Sequence, residues 1–306
     1  MSFEVVNPGM LSLLQDLGRR GYQHLGIAQG GPMDEHAFCW GNRLLGNPLG
    51  ACGLEITLGQ LQLKATEPTT IAITGADLKA SLNDKPVSPW CTYAIQPGDE
   101  LSFSRPVSGV RAYLCVQGGF ICQPQLGSVA TVVREGTGGL NATGQPLKTG
   151  DLLRYTPCRE PQTARVPKWA RPDYAEPLSL GVISSYQHDV FPAESRALFF
   201  SSAYQITPDS DRMGYRLAGP QVACEQSRMI SEGIVLGAIQ IPQDGQPIVL
   251  MRDRQTIGGY PKIGCLTTLG TSRLSQCLPG QSVQFRPLAL AEAESEWRLF
   301  QQIMSA

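Results

Sequence analysis

A short pattern occurs three times along the chain: "IQPGDELSF" (95–103), "LKTGDLLRY" (147–155) and "CLPGQSVQF" (277–285). Each has a turn glycine, then Asp or Gln, then alternating apolar and polar residues ending on an aromatic. Glycine supplies the left-handed backbone that a tight turn requires. A period of two is the pattern of a half-buried strand. The copies are unequally spaced, which excludes a solenoid repeat, so they predict similar strand entries within one β-rich fold.

Other short runs point the same way: "PTTIAITGADL" (68–78), "ELSFSRP" (100–106), "GVRAYLCVQGG" (109–119), "DLLRYTP" (151–157), "RALFFSSA" (196–203), "GAIQIP" (237–242) and "PIVLM" (247–251). Gly, Pro, Asn or Asp bound each of them, so all read as strands. Helices are few. Asp34 is placed to cap "EHAFCWGNRLL" (35–45), and Gly46-Asn47-Pro48 is its stop signal. In the tail 288–304, Leu290, Ala293, Trp297, Phe300 and Met304 fall at helical spacing. The Pro-rich, charged stretch 158–177 divides an N-terminal lobe (1–160) from a C-terminal lobe (178–306), with 161–177 expected as a linker.

Composition excludes several classes. A formal charge of −1 gives no electrostatic basis for nucleic-acid binding. The 42% hydrophobic and 17% charged content is that of an ordinary globular chain. The nine cysteines form no C-x-x-C and read as small buried apolar residues in a reducing compartment. His24, His36 and His188 lack metal-ligand spacing, so no metal site is expected. With no apolar stretch of about 18 residues and no leader-like start, a cytoplasmic protein without a membrane span is expected.

Several segments are able to carry chemistry. "LLQDLGRRGYQHLGIAQGGPMD" (13–34) sets Asp16, Arg19 and Tyr22 around Gly18 and Gly21. Arg19 suits a carboxylate or phosphate, and Asp16 suits a base or an arginine orienter. By spacing alone the segment reads more readily as a polar turn with an Asp–Arg surface pair. Asp34 reads first as a helix cap. Glu55 lies in an apolar context after Gly53, which requires either solvent or a partner. "DSDRMGYRLAGP" (209–220) offers Arg212 and Tyr215, or only a charged hairpin. "PIVLMRDRQTIGGYPKIG" (247–264) delivers Asp253, Gln255, Thr256, Gly258, Gly259 and Tyr260 at a strand end. It echoes "QDLGRRGY": both place Asp and Arg ahead of a Gly-Tyr. There is no P-loop, no G-x-G-x-x-G after a strand and no G-x-S-x-G elbow.

These motifs resemble the biotin-dependent carboxyltransferase-like family. The similarity is carried, in family order, by "LLQDLGRRGY" (13–22), "GGPMD" (30–34), "GNPLGACGLEITLG" (46–59), "AYLCVQGGF" (112–120), "DRMGYRLAGP" (211–220), "SEGIVLGAIQIPQDGQPIVLMRDRQTIGGYPKIG" (231–264) and "LPGQSVQF" (278–285). The family includes the C subunits of bacterial ATP-dependent 5-oxoprolinases, KipA, the second allophanate hydrolase subunits and part of the carboxyltransferase region of urea carboxylases. The resemblance implies a mainly β, two-lobed, cyclophilin-like β-barrel architecture with a few helices. It implies two partners, a homologous KipI-like subunit and a LamB/YcsF-like subunit. It implies 5-oxo-L-proline as substrate, and ATP bound at or near the interface with the KipI-like subunit. It carries Asp253, Asp16 and Glu55 over as catalytic residues. Arg19, Tyr22, Asp34, Arg212, Tyr215, Gln255, Thr256, Gly258, Gly259 and Tyr260 carry over as substrate-binding. No metal or biotin-attachment site is implied in this chain. Alternatives within the resemblance are a carboxyltransferase acting on carboxybiotin and urea or a related amide, and a KipA-like binding role without chemistry.

The chain also departs from the family pattern. Where members carry "LGSRSTD" and "GGLxGR", this sequence reads "LGSVATVVREGTGGLNATGQ" (126–145). Val129 and Val132 stand for an Arg and an Asp, and Gln145 for an Arg. Arg254 occupies a position where a smaller residue is usual. If the 126–151 loop binds ligand, its specificity is altered.

Overall fold

The three repeated turns form as their sequence predicts. Gly98, Gly150 and Gly280 have φ of 89°, 88° and 87°. Nothing lies within 4 Å of where a Cβ would stand at any of them, so conformation alone selects glycine there. They open onto the strands Glu100–Ser102, Leu152–Arg154 and Ser282–Pro287.

The computed structural model describes residues 1–158, 160–161, 163–226 and 229–305. Its contacts fall into two units. The first comprises Met1–Arg20 and Gly30–Ala175, the second Gly21–Gln29 and Glu176–Ala306. The segment expected as a linker is largely packed onto the first unit. Arg165 bridges to Cys91, the Thr92 and Val166 amides donate to the carbonyls of Ala164 and Trp90, and Val166 is fully buried. The Pro-rich composition of this stretch suits an edge that makes few ladder hydrogen bonds.

The first unit holds two antiparallel sheets. One runs Leu152–Arg154, Ser2–Pro8, Leu61–Ala65, Glu100–Ser102, Ser81–Leu82, Lys85–Pro86; the other runs Leu11–Gln15, Gly53–Thr57, Ser108–Val116, Thr69–Asp77, Cys91–Ile95. In Leu61–Ala65 the Leu61, Leu63 and Ala65 side chains are buried while Gln62 and Lys64 are exposed. That alternation places a layer of Leu, Ile, Val and Phe in one core, each worth about 1.5–3 kcal/mol of burial. Thr69–Asp77 is buried almost throughout because the helix Glu35–Leu44 covers its other face. Thr74 Oγ1 donates to the Ala37 carbonyl at 2.7 Å. Gly41 permits this approach: a Cβ there would lie 2.8 Å from Cys115 Sγ.

The second unit is built on a closed barrel, in the order Leu178–Ser184, Lys262–Leu266, Ala238–Gln240, Ile248–Leu250, Gly214–Ala218, Ala203–Ile206, Ser282–Pro287. A parallel pairing, Leu178 with Val283, closes it. A separate two-stranded ribbon pairs Glu232–Gly233 with Ile257–Gly258. The mainly β expectation therefore holds.

One expected strand is a helix. "RALFFSSA" lies at the end of the helix Ala193–Ser201. Pro192 sets the entry, where its missing N–H costs nothing. Phe199 then stacks on Phe285 with centroids 4.7 Å apart and planes at 13°. The run is short and aromatic, which fits either period, and the distant Phe285 decides between them. The tail forms the helix Leu290–Ser305, burying Ala293, Phe300 and Met304. Among the described residues no helix is long and apolar enough to cross a membrane.

Candidate functional site

In the first unit, Gln15, Asp16 and Arg19 lie at and just beyond the end of the strand Leu11–Gln15 and hold the 125–131 loop. Asp16 Oδ1 accepts from Ser128 Oγ at 2.5 Å and from the Gly18 amide at 2.9 Å; Oδ2 accepts from the Val129 amide at 2.8 Å. Arg19 is 1% exposed. Its Nε donates to the Gln125 carbonyl at 3.1 Å, and its Nη2 to those of Ala130 and Ser128 at 2.9 and 3.4 Å. Gln15 Nε2 donates to the Thr131 carbonyl at 3.2 Å. These carbonyls occupy the guanidinium edge expected to meet an anion. Val129 and Val132, which replace the family's Arg and Asp, are buried. The departure thus turns charged loop positions into apolar packing.

Glu55 answers the question its context raises, because it has partners. It is fully buried on Gly53–Thr57, and its Oε2 accepts from the Met33 amide at 2.7 Å and from Tyr113 Oη at 2.8 Å. Tyr113 lies directly across the ladder from Glu55 and in turn accepts from the Asp34 amide at 2.7 Å. Burial, with Glu55 and Asp34 close by, pushes the Tyr113 phenol well above its ordinary value. Asp34 caps the helix through Oδ1, which accepts from the Ala37 amide at 2.9 Å, while Oδ2 accepts from Tyr174 Oη at 2.8 Å. Glu55, Tyr113, Asp34 and Tyr174 therefore form one polar chain. Tyr113 and Tyr174 carry no sequence signal beyond an aromatic inside an apolar strand and one in a Pro-rich stretch.

In the second unit, Asp253 and Arg212 form a buried fork. Nε donates to Oδ2 at 2.8 Å and Nη2 to Oδ1 at 3.0 Å, with the Arg212 and Asp253 side chains 8% and 6% exposed. The Asp253 amide also donates to the Arg212 carbonyl at 2.9 Å. Tyr215 is buried, and its hydroxyl donates to the Ser275 carbonyl at 3.2 Å. Arg254 donates from Nε to the Ile234 carbonyl at 3.3 Å and from Nη1 to that of Met251 at 3.2 Å. Burial, with Arg252 nearby, lowers its pKa to about 10. The echoed arginines, Arg19 and Arg254, thus share a use, since each orders main-chain carbonyls.

Gln255, Thr256, Gly258 and Gly259 are half-buried, and Tyr260 is exposed. Ile257–Gly258 is the second strand of the ribbon. The Thr256 carbonyl accepts from the Ile234 amide at 3.0 Å, and that of Gly259 from the Met229 amide at 2.9 Å. Gly259 is required there, since a Cβ would lie 2.7 Å from the Met229 oxygen. Tyr22, half-buried, groups by its contacts with the second unit. The structure therefore brings Asp16 and Arg19 together on one loop, Glu55 and Asp34 into one chain, and Arg212 and Asp253 into one fork. Among the described residues no group of His, Cys, Asp and Glu is arranged to hold a metal ion.

The family model "Carboxyltransferase domain, subdomain A and B" matches residues 25–287. The chain is 35% identical to the C subunit of 5-oxoprolinase from Escherichia coli (strain K12), over 98% of this chain and 97% of that protein. It is also 35% identical to the protein of the same name in Haemophilus influenzae, over 92% and 89%. Among solved structures, K. lactis urea amidolyase superposes with a TM-score of 0.92 at 29% identity over 99% of this chain, which spans only 20% of that longer one. The chain belongs to the family of proteins built on the carboxyltransferase domain, subdomains A and B.

Proposed function

We propose that this chain is the C subunit of an ATP-dependent 5-oxoprolinase, which opens 5-oxo-L-proline to L-glutamate with ATP hydrolysis. The observation that carries this reading is the 35% identity to the Escherichia coli C subunit across nearly the full length of both chains. A lactam is a poor electrophile, so hydrolysis coupled to ATP has to activate the amide oxygen before water attacks. A site for that chemistry needs positioned donors for the substrate's oxygens more than a strong nucleophile.

The fork at Asp253 and the chain at Glu55 suit that role. Each is a carboxylate locked by partners on a rigid scaffold, able to fix neighbouring groups in place. A carboxylate in a bidentate pair is a weak base, so we assign Asp253 to positioning through Arg212 rather than to proton abstraction. ATP fits this chain poorly. Arg19 and Arg254 are occupied by carbonyls and Arg212 by Asp253, and no phosphate loop precedes a helix. We assign ATP contact to the side of the KipI-like subunit. That subunit and the LamB/YcsF-like subunit are accordingly the partners we expect, in a hetero-oligomer.

The fold likeness to urea amidolyase supports a second reading, a carboxyltransferase acting on an amide such as urea. The two separate in one assay. With both partner subunits added, this chain should show 5-oxoproline-stimulated ADP release. Stimulation absent there, but present with urea, bicarbonate, a biotin carboxylase and its biotinylated carrier, would select the second reading.

A further inference from the structure

We propose that Gly258, Glu232, Lys262 and Gln240 enclose a binding site for a carboxylate or amide-carbonyl oxygen of a small ligand. Resting on the reading above, that ligand is 5-oxo-L-proline. The four residues close a ring within the second unit. Glu232 pairs with Gly258 across the ribbon. Glu232 also forms an ion pair with Lys262, on the barrel strand Lys262–Leu266. Lys262 lies opposite Gln240 in the neighbouring antiparallel pair, so the two side chains share a face. Gln240 closes the ring, since its Nε2 lies 3.1 Å from the point where a Cβ on Gly258 would stand.

The ring holds a donor that nothing in it satisfies. Gln240 is 1% exposed, and its Nε2 has no hydrogen-bond partner among the described residues. Gln255 Nε2 lies 3.7 Å from the same Gly258 point. Lys262 adds an ammonium whose side chain is 9% exposed. Against these stands one carboxylate, Glu232, which is already engaged. Besides Lys262 it accepts from Tyr186 Oη and, at 2.7 Å, from Gln187 Nε2. Gln187 Oε1 in turn accepts from the Lys262 amide at 2.8 Å. A buried amide donor without an acceptor is costly to maintain, and an entering oxygen would satisfy it. A cation would be repelled by the Lys262 ammonium and would find the Glu232 carboxylate already engaged by three donors. The site therefore selects an acceptor atom.

Gly258 lets the ribbon pack closely against Gln240. A Cβ there would meet Ile234 Cδ1 at 2.5 Å as well as Gln240 Nε2.

Two measurements test the site, with 5-oxo-L-proline as the probe: saturation-transfer NMR on the full chain, and steady-state kinetics of the complex with both partner subunits. Gln240→Leu removes the donor at similar volume. It should weaken binding, and raise KM for 5-oxo-L-proline, by about tenfold, the worth of one hydrogen bond to ligand, with kcat within about threefold. Gln240→Glu, which places an acceptor where a donor stood, should weaken binding further. If Gln240→Leu does not fold, Gln240→Asn keeps an amide but withdraws it and should still raise KM. An unchanged KM in a folded variant, with the wild-type complex making glutamate, overturns the site and leaves the functional reading standing. If the complex makes no glutamate but the chain binds acetate or acetamide in a Gln240-dependent way, the functional reading fails and the site survives. No binding of any of the three probes to the chain, together with variant kinetics equal to wild type, overturns it outright.

Discussion

Arg212 and Asp253 form a two-bond fork, Nε to Oδ2 at 2.8 Å and Nη2 to Oδ1 at 3.0 Å, almost out of reach of solvent. Removing one member of a buried pair leaves an uncompensated charge and costs about 3–5 kcal/mol. Asp253→Ala and Arg212→Ala should each lose that much in urea unfolding. Arg212→Lys should not rescue, because an ammonium cannot reproduce the fork. The double change to Met and Leu should cost much less than the sum of the singles. Additive losses would show that the pair is not coupled.

Tyr113 links two buried groups, donating to Glu55 and accepting from the Asp34 amide. Tyr113→Phe should therefore destabilise by about 1–3 kcal/mol, the cost of orphaned buried polar groups. Glu55→Gln, which keeps an acceptor oxygen, should cost less than Glu55→Ala. The Tyr113 phenol is raised, and burial pushes those of Tyr155 and Tyr204 up to about 12. At least three tyrosines should therefore stay un-ionised in an ultraviolet titration through about pH 10, the ordinary tyrosine value, and Tyr113→Phe should remove one of them from that set.

Asp16 holds the 125–131 loop through Ser128 and Val129. In Asp16→Ala, amide hydrogen exchange at Val129 and Ala130 should accelerate by more than about tenfold, because the contacts that tie the loop down vanish together. Exchange in the strand Leu11–Gln15 should change little. Unaltered exchange at Val129 would remove Asp16 from this role.

Glycine sites should divide by surroundings. Gly98→Ala meets only backbone strain, since its surroundings are open, and should cost about 1–2 kcal/mol. Gly59→Ala combines φ of 79° with a carbonyl of Ser104 at 1.7 Å, so the chain should fail to fold or express insoluble. Similar thermal midpoints for the two variants would contradict the packing described.

The Glu232 carboxyl sits below its ordinary value because Lys262, then Tyr186, hydrogen-bond its charged form. A depressed carboxyl contributes stability that is present above its unfolded pKa and is lost as pH falls through the folded one. Glu232→Gln should be less stable than wild type at neutral pH, and the gap should close at pH values below the folded pKa. A gap that persists in acid would assign the loss to something other than ionisation.

Local chemistry is legible in the sequence, and long-range partnership is not. The turns at Gly98, Gly150 and Gly280 and the cap at Asp34 follow from a few adjacent residues, and all form. The aromatic run before Ser201 reads as strand because Phe285, which fixes its face, is remote in the chain. Arg19 reads as an anion ligand because glycines surround it. Its carbonyl partners Gln125 and Ala130 lie 106 and 111 positions away, and nothing local announces them. Lys262 is visible within "GGYPKIG", but its pairing with Glu232 depends on how the ribbon folds.

As a C subunit, this chain completes a 5-oxoprolinase. Glutamate formed from 5-oxo-L-proline and ATP should be measured with the KipI-like and LamB/YcsF-like subunits alone, with both plus this chain, and with both plus its Arg212→Ala variant. Glutamate should form, in step with ADP, only when the wild-type chain is present, with a large loss for a folded variant. Glutamate formed at the same rate without the chain, or none with it, would contradict that role.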